Sequence, residues 1–481
     1  GYNVAVGMSA LENNTTASYN TAVGTNCMVG NTTGTNNVAM GYATLDANTT
    51  GSSNVAIGQA ALGSNTTADN NTAVGKDALI TNTTGSENTA VGKEALATNN
   101  GSNNTAVGVT AMYLNTTGTN NAAFGQSCMK KNTTGSGNTA IGRVSMFENT
   151  TGSNNTAVGY AALQLNVTGQ QCVAVGQGAL QNNLGDSNTA LGYSAGYSIT
   201  TGTDNVCLGR AAGFNITTHS ENIFIGKNAG YSCTSSQNVM VGGEGCGDSV
   251  STGAECVFVG SYAGTSVTTG SYNVLIGPSA GNNISTGQFN VFLGKDTGTS
   301  VSTGSNNVFL GNYAGKAQGN LSNNLFIARD QGASSVASTW IYGNQNGACY
   351  QGNNSQTWTQ TSDVRLKKNI VDSPKGLAEI NQLRVANFEY RTEDEIDMSE
   401  FPLADNPNQI CLNDETREGV TQTGFIAQEV EKILPECVET SDKGAKTVNT
   451  DPVMLALVNA VKELSTKVET LQSEINTLKG G

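Results

Sequence analysis

The feature that most constrains this chain is a short motif that returns at nearly constant spacing. A segment of the pattern Asn-Thr/Val-Ala-Val/Ile-Gly occurs 20 times in residues 1–328, usually 17 residues apart, with occasional spacings of 16 or 18. A full unit, such as residues 71–87, adds a short apolar segment and an Asn-Thr-Thr-Gly turn. A unit this short cannot bury a core alone, so it must stack on its neighbours. The sequence therefore predicts a mainly β protein, with a parallel β-solenoid, or β-roll, over residues 1–328.

The motif is apolar on both faces of the predicted strand. In the first copy Val4 and Val6 flank Ala5, and adjacent residues of a strand point to opposite faces. Both faces are then expected to be covered, as in buried parallel sheets. One face would line the interior of the coil, and the other would meet another subunit. This pattern favours a homotrimer over a lone solenoid.

Two positions of the repeat exchange volume near Gly192. Before it, the fourth residue after the motif glycine is usually Leu or Met, and the residue two before that glycine is Ala. After it, the fourth residue becomes Gly, as in Gly298, and the earlier position becomes large, as in Phe292. Cores tolerate redistributed volume better than lost volume. We therefore expect the two positions to fill one space.

The composition excludes several classes of function. The net charge is −14 and no basic stripe is present, so we expect no nucleic-acid partner. Apolar runs are too short for a membrane span, and the first residues are not a signal peptide but the inside of a repeat. This suggests a processed product or a piece of a longer fibre. With His219 as the only histidine and no CxxC pair, we expect no metal site and no cofactor.

Three further features of the repeats have structural explanations. Cys27, Cys128 and Cys207 occupy positions that carry Ala in other repeats, so we interpret the cysteines as small buried residues, with oxidised pairs across a threefold axis as the alternative. The Asn-Thr-Thr triplets are formal glycosylation sequences, but their period matches the turn and favours turn chemistry with Asn and Thr ladders. Residues 242–247, Gly-Gly-Glu-Gly-Cys-Gly, resemble a phosphate loop but lack the Lys-Ser/Thr that should follow.

Residues 329–361 break the period and carry aromatic residues among Gly, Ser, Asn and Gln. These are Trp340, Tyr342, Tyr350 and Trp358. If the chain is cut after this segment, the segment becomes a free distal tip whose rings could stack on the sugars of a host receptor. The alternative is that the rings plug the open end of the β-core.

The remaining 120 residues, 362–481, read as a small α+β domain. We predict a helix over 376–384, a strand over 385–391, an acidic loop to about residue 418 and a helix over 425–434 that ends at Pro435. From Met454 onward, apolar residues recur at alternating spacings of three and four over four heptads. This spacing predicts a coiled coil over 453–479.

A candidate cut site opens this domain. Ser362 and Lys367 stand five residues apart, close enough for a hydroxyl and an amine to meet as nucleophile and base. Taken alone, Ser-Asp before a basic run is typical of a solvated surface. Three motifs give it context: SDVRLKKNI at 362–370, GFIAQEV at 424–430, and VNTDPVMLALVNAVKELSTKVETL at 448–471.

With these motifs, residues 362–481 resemble the intramolecular chaperone of endosialidase, the self-cleaving C-terminal domain of phage tail spikes and fibres. The resemblance implies a Ser-Lys dyad, with Ser362 as nucleophile and Lys367 as general base, that cuts the backbone beside Ser362 once a trimer has folded. Such a protein would be a single-turnover serine endopeptidase with no other activity. The other motif positions are Asp363, Arg365, Asn369, Gln428 and Glu429.

The repeats are similar to the Val-Ala-Ile-Gly repeats in the β-roll heads of trimeric autotransporter adhesins, although the period here is longer. The leading hypothesis is a homotrimeric viral fibre or spike protein on the virion surface that binds a host receptor. The alternative is a cellular trimeric surface adhesin, which would need a membrane-anchoring β-domain. A glycan-degrading spike would require paired carboxylates in a cleft, and the repeats show no obvious pair.

Overall fold

The structure is a computed structural model that describes residues 1–316, 319–328, 339–343, 349–351, 371–389, 391, 395–401, 421–440 and 444–479. The chain divides into two compact units, Gly1–Trp358 and Thr359–Gly481. Across the described ranges, no helix has the length and apolarity needed to cross a lipid bilayer.

The first unit is built on 20 short strands, β1 to β20, each of which pairs in parallel with the next in sequence. The register is constant, so that Ala73 of one strand lies beside Ala90 of the next. This confirms the predicted mainly β fold and its parallel solenoid of about 19 turns with 17-residue spacing. The strands are Val4–Val6, Thr21–Val23, Val38–Met40, Val55–Ile57, Thr72–Val74, Thr89–Val91, Thr105–Val107, Ala122–Phe124, Thr139–Ile141, Thr156–Val158, Val173–Val175, Thr189–Leu191, Val206–Leu208, Ile223–Ile225, Val239–Val241, Val257–Val259, Val274–Ile276, Val291–Leu293, Val308–Leu310 and Leu325–Ala328.

The motif glycine is required by the close approach of successive turns. Gly75 has a φ of +139°, and a Cβ on it would lie 2.4 Å from the carbonyl oxygen of Gly92 in the next turn. An L-residue fits neither this backbone conformation nor this space. The glycine therefore sets both the end of each strand and the spacing of the stack.

Buried asparagines form a ladder along the interior. The Asn71 side chain donates to the Gly85 carbonyl oxygen at 3.0 Å and accepts the backbone N–H of Asn88, one turn on, at 3.0 Å. Thr49 adds a second kind of rung, because its hydroxyl donates to the carbonyl oxygen of Thr66 at 3.0 Å. Each amide thus satisfies backbone groups that would otherwise be buried without partners. The predicted Asn and Thr ladders are confirmed.

The two positions that exchange volume do share one space. A Cβ on Gly298 would lie 2.2 Å from Cε2 of Phe292, and one on Gly264 would lie 2.7 Å from Cε2 of Phe258. Both phenylalanines are fully buried, and Phe292 stacks on Phe309 with ring centroids 4.6 Å apart. The rings of the later turns occupy the volume that the Leu and Met side chains fill in the earlier ones.

Each turn also contains left-handed residues that are not glycine. In one turn Asp77, Leu79 and Glu87 have φ values of 58°, 51° and 62°. Such a conformation costs an L-residue about 1–2 kcal/mol, so the stacking of neighbouring turns must hold it in place. The repeat pattern predicted an apolar segment at Leu79 but not this backbone geometry.

Two antiparallel strands extend the sheet beyond β20. They are β21, Thr339–Gly343, which pairs with β20, and β22, Cys349–Gln351, which pairs with β21. Their direction ends the parallel pattern of the solenoid.

The second unit has short elements and one long helix. Its elements are α1 Leu377–Ile380, β23 Ala386–Phe388, β24 Gln422–Gly424, α2 Ala427–Val430, β25 Val438–Thr440, β26 Lys446–Val448 and α3 Thr450–Lys479, with 3-10 turns at Met398–Glu400 and Pro435–Cys437. Strand β23 pairs with β24, and β25 pairs with β26, both antiparallel. A small core of Val430, Leu434, Cys437 and Val453 joins α2 to the start of α3.

Both short helices are shorter than predicted. After α1 the N–H groups of Gln382 and Leu383 bond to carbonyls three residues back, so the helix tightens and ends before Arg384. The predicted strand at 385–391 is confined to Ala386–Phe388. Most of the predicted acidic loop lies outside the described residues.

Candidate functional site

The residues expected to cut the chain lie outside the described part of the structure. They are Ser362, Asp363, Arg365, Lys367 and Asn369. Their assignment as nucleophile, base and motif positions therefore stays a prediction from sequence. The described residues that surround this segment in the same unit define the scaffold on which it acts.

Two of the motif residues fall on α2 and differ in their contacts. Gln428 is exposed. The Glu429 carboxylate accepts two hydrogen bonds from Arg384, at 3.0 Å from Nε and 2.5 Å from Nη2. This paired geometry lowers the pKa of Glu429, chiefly through the hydrogen bonds from the guanidinium. The pair fixes α2 to the residues that precede β23.

The first turns of α3 are tied to the segment around α1. Asn459 donates to the Lys375 carbonyl oxygen at 3.0 Å, and Glu463 accepts the Leu377 N–H at 3.3 Å. Ala456 and Ala460 are buried on the same helix, which lets the two segments approach closely. The long helix is therefore anchored at its N-terminal end to the remainder of its unit.

Arg384, Asn459 and Glu463 were not singled out from sequence. Arg384 bonds across 45 residues to Glu429, and Asn459 bonds across 84 residues to Lys375. A lone charged or amide residue on a short element carries no local signal of so distant a partner. Conserved spacing within one motif could not have found them.

The aromatic candidates for the distal tip lie on the antiparallel extension. Trp340 and Tyr342 belong to β21 and Tyr350 to β22, where the backbones of Tyr342 and Tyr350 pair directly. The side chains of these three residues, and Trp358 altogether, lie outside what the structure describes. Sugar binding at this tip stays a prediction.

The cysteines and sequons behave as the repeat pattern predicted. Cys27, Cys128, Cys172 and Cys207 are free and buried. Burial raises the pKa of Cys128 to about 12, which leaves almost no reactive thiolate. The turn asparagine Asn82 is also fully buried and donates to Gly85, so turn chemistry explains its triplet. Within the described ranges, no group of three or more His, Cys, Asp or Glu residues could hold a metal ion.

The C-terminal unit also matches a known family, and the match starts at the predicted nucleophile, Ser362. Residues 362–439 match the family model described as chaperone of endosialidase. We call these residues the chaperone segment. The chaperone segment includes α1, β23, β24 and α2 with the Arg384–Glu429 pair, and it ends within β25. The family suggested by the motifs is confirmed for this part of the chain, while α3 lies beyond the matched residues.

Proposed function

We propose that this chain is the subunit of a homotrimeric fibre or spike, of the phage tail type, whose C-terminal domain aligns three chains and then cuts itself off beside Ser362. The observation that carries the proposal is the match of residues 362–439 to the chaperone of endosialidase directly after a long solenoid. The mature solenoid would stand on the virion surface and bind a host receptor.

The outer face of the solenoid strands supports self-association. The central residue of nearly every strand is buried, whereas its neighbours point outward and are often large and apolar. Met40, Phe124 and Leu191 are 48%, 40% and 54% exposed in the single chain. Apolar side chains aligned along many turns form a larger exposed patch than a monomeric protein normally keeps. Two further copies of the same chain would cover it.

The long helix α3 supports the same conclusion independently. Its heptad residues are all exposed in the single chain. They are Met454, Leu457, Val461, Leu464, Val468, Leu471, Ile475 and Leu478. An apolar seam at this spacing is the pattern of a coiled coil. β-branched residues at three of four a positions favour a dimer in isolation, so the trimer rests on the chaperone family and on the solenoid.

A solenoid trimer needs such a clamp for a physical reason. Its 20 strands are nearly identical, so sliding one chain by one turn would lose only about one turn of contacts. The repeats therefore choose their own register poorly, and a unique C-terminal domain can fix it.

The cutting step is tested by mass spectrometry of the purified chain. Ser362→Ala and Lys367→Ala should each give a folded, uncut trimer, while the wild type should yield a product that ends at one of the two bonds flanking Ser362. Lys367 must be neutral to act as a base, and Arg365 and Lys368 could lower its pKa. An intact wild-type chain after long incubation would rule out self-cleavage and favour the alternative of a cellular adhesin.

The clamp is tested separately from the cut. A chain made to end at Thr361 should aggregate or form misaligned solenoids, because exposed parallel edges pair with whatever arrives first. Protein that has removed its own C-terminal domain should stay trimeric, since the interlocked turns hold it kinetically. Size-exclusion chromatography and detergent resistance compare the two. Equal yields of resistant trimer by both routes would contradict a chaperone role.

The seam of α3 is tested by charge. Leu464→Asp should weaken self-association of the uncut protein, whereas Thr466→Asp, an exposed position on the same helix outside the heptad seam, should not. Light scattering after size exclusion gives the mass of each. Identical masses for the two variants would show that the seam is not an interface.

A further inference from the structure

One turn of the solenoid departs from its neighbours on the outer surface. The turn between β15 and β16 has 18 residues, with Gly243 as the extra one. At the position where the adjacent turns carry Asn228 and Tyr262, it carries Gly245, and all three residues are left-handed, with φ values of 58°, 59° and 74° respectively for Asn228, Tyr262 and Gly245. The backbone path is thus preserved while one side chain is missing from its column.

The missing side chain leaves a cavity of about 310 Å³. Its walls are formed by Asn228, Tyr231, Glu244, Asp248, Tyr262 and Thr265, with Gly245 at its base. This volume is at the lower end of the range for small-molecule sites, so it fits one ring-sized ligand and not an extended chain. A repeat protein that keeps its period elsewhere and breaks it at a cavity indicates a site with a function of its own.

An uncovered aromatic face borders the cavity. Tyr197, Phe214 and Tyr231 stack on successive turns with ring centroids 5.1 and 5.0 Å apart. The next turn places Asp248 in this column, so the stack ends and the second face of Tyr231 has no ring above it. Tyr262, which is 48% exposed, stands on the other side, where a Cβ on Gly245 would lie 2.5 Å from its Cδ1.

Hydrogen-bond acceptors dominate the polar part of the wall. Glu244 pairs with Lys227, and the pKa of Glu244 is lowered chiefly by that hydrogen bond, so the carboxylate is ionised. Asp248 adds a second carboxylate, whose Oδ1 already accepts the Ser232 N–H at 3.3 Å. Ionised carboxylates only accept hydrogen bonds, and each has spare lone pairs. The Thr265 hydroxyl donates to the Gly245 carbonyl oxygen at 2.7 Å and holds the base of the cavity.

We propose that this cavity binds one neutral hexopyranose residue of a surface glycan. A pyranose offers a face of C–H groups that packs on the electron-rich face of an aromatic ring such as Tyr231, and its hydroxyls donate to Glu244 and Asp248. The two carboxylates repel an anionic sugar or a phosphate, so the glycine-rich segment 242–247 serves a different ligand from the one its pattern resembles.

The site remains accessible in the proposed trimer. None of the residues that line it belongs to a strand, and the apolar columns assigned to the subunit interface are strand residues. The biological use of the site rests on the fibre function proposed above, whereas the binding itself does not.

The test is saturation-transfer difference NMR on the whole protein with 10 mM probes. The probes are methyl α-glucopyranoside, methyl β-galactopyranoside and methyl α-mannopyranoside, with N-acetylneuraminic acid as the anionic comparison. At least one neutral glycoside should bind with a dissociation constant on the order of millimolar, and the anionic sugar should give no signal. Absence of signal from all three neutral probes, or stronger binding of the anionic one, overturns the proposal.

Variants locate the binding. Gly245→Asn restores the side chain found at Asn228 with a compatible backbone, and it should abolish the signal. The same substitution at Gly178, which occupies the same repeat position with a φ of 65°, should leave the signal unchanged. Tyr231→Ala should weaken binding by about fivefold, the range expected for losing one aromatic contact. Binding that survives both Gly245→Asn and Tyr231→Ala overturns the assignment, and neither result depends on cleavage or on trimer formation.

Discussion

The shared space of Phe292 and Gly298 gives a quantitative test of how the solenoid packs. Phe292 is fully buried and stacked on Phe309, so Phe292→Ala should cost about 3–5 kcal/mol through lost burial and a cavity. Gly298→Leu alone should also be costly, because its Cβ would start 2.2 Å from the Phe292 ring. The two changes made together should cost less than Phe292→Ala alone.

The size of the recovery follows from two opposing terms. A buried Leu at position 298 regains about 1.5–3 kcal/mol of burial. Its left-handed backbone costs about 1–2 kcal/mol, and Leu79 shows that the repeat holds Leu in this conformation, with a φ of 51°. The net recovery is therefore about 1 kcal/mol. The coupling free energy, which also removes the clash of the single variant, should exceed about 2 kcal/mol.

Hydrogen exchange is the suitable assay because the turns of a repeat protein open partly independently. Exchange in residues 288–310 should accelerate by roughly a hundredfold or more in Phe292→Ala, and the added Gly298→Leu should slow it again by about fivefold. Gly264→Leu, which faces Phe258 two turns away, is the matched control and should add its own cost in full. Additive effects of Phe292→Ala and Gly298→Leu would refute the shared space.

Three further predictions follow from the ladders, the thiols and the ion pair. Asn71→Leu should lower the free energy of unfolding by about 1–3 kcal/mol per backbone group left without a partner, whereas Asn71→Cys, the residue at this position in two other turns, should cost less; hydrogen exchange separates them. Cys128, with its pKa raised to about 12, should resist iodoacetamide at pH 8 until the chain is unfolded, and rapid native labelling would contradict its burial. Arg384→Gln should raise the pKa of Glu429 in a carboxyl NMR titration while that of Glu379, lowered by the Gly376 N–H, stays put; because the folded pKa of Glu429 is depressed, the stability it contributes is present above its unfolded pKa and is lost as pH falls through the folded value.

The sequence by itself determined the solenoid and most of its interior. Every contact between turns joins residues about 17 positions apart, as Ala73 and Ala90 show, so one reading of the repeat gives the strands, their register and the composition of each column. The exchange of volume between Phe292 and Gly298 was visible for the same reason. The motifs at residues 362–370 and 424–430 likewise indicated the chaperone family without any structure.

Only the tertiary structure decided what the repeat does not encode. The left-handed conformation of Leu79 is held by neighbouring turns against its own preference, and no pattern of apolar residues reports it. Arg384 finds Glu429 and Asn459 finds Lys375 across 45 and 84 residues in a unit with no period, so sequence spacing cannot predict them. The cavity at Gly245 depends on side chains from three successive turns and on one that is absent. A column of identical residues can be read from sequence, but the space left where the column is interrupted depends on how its neighbours pack.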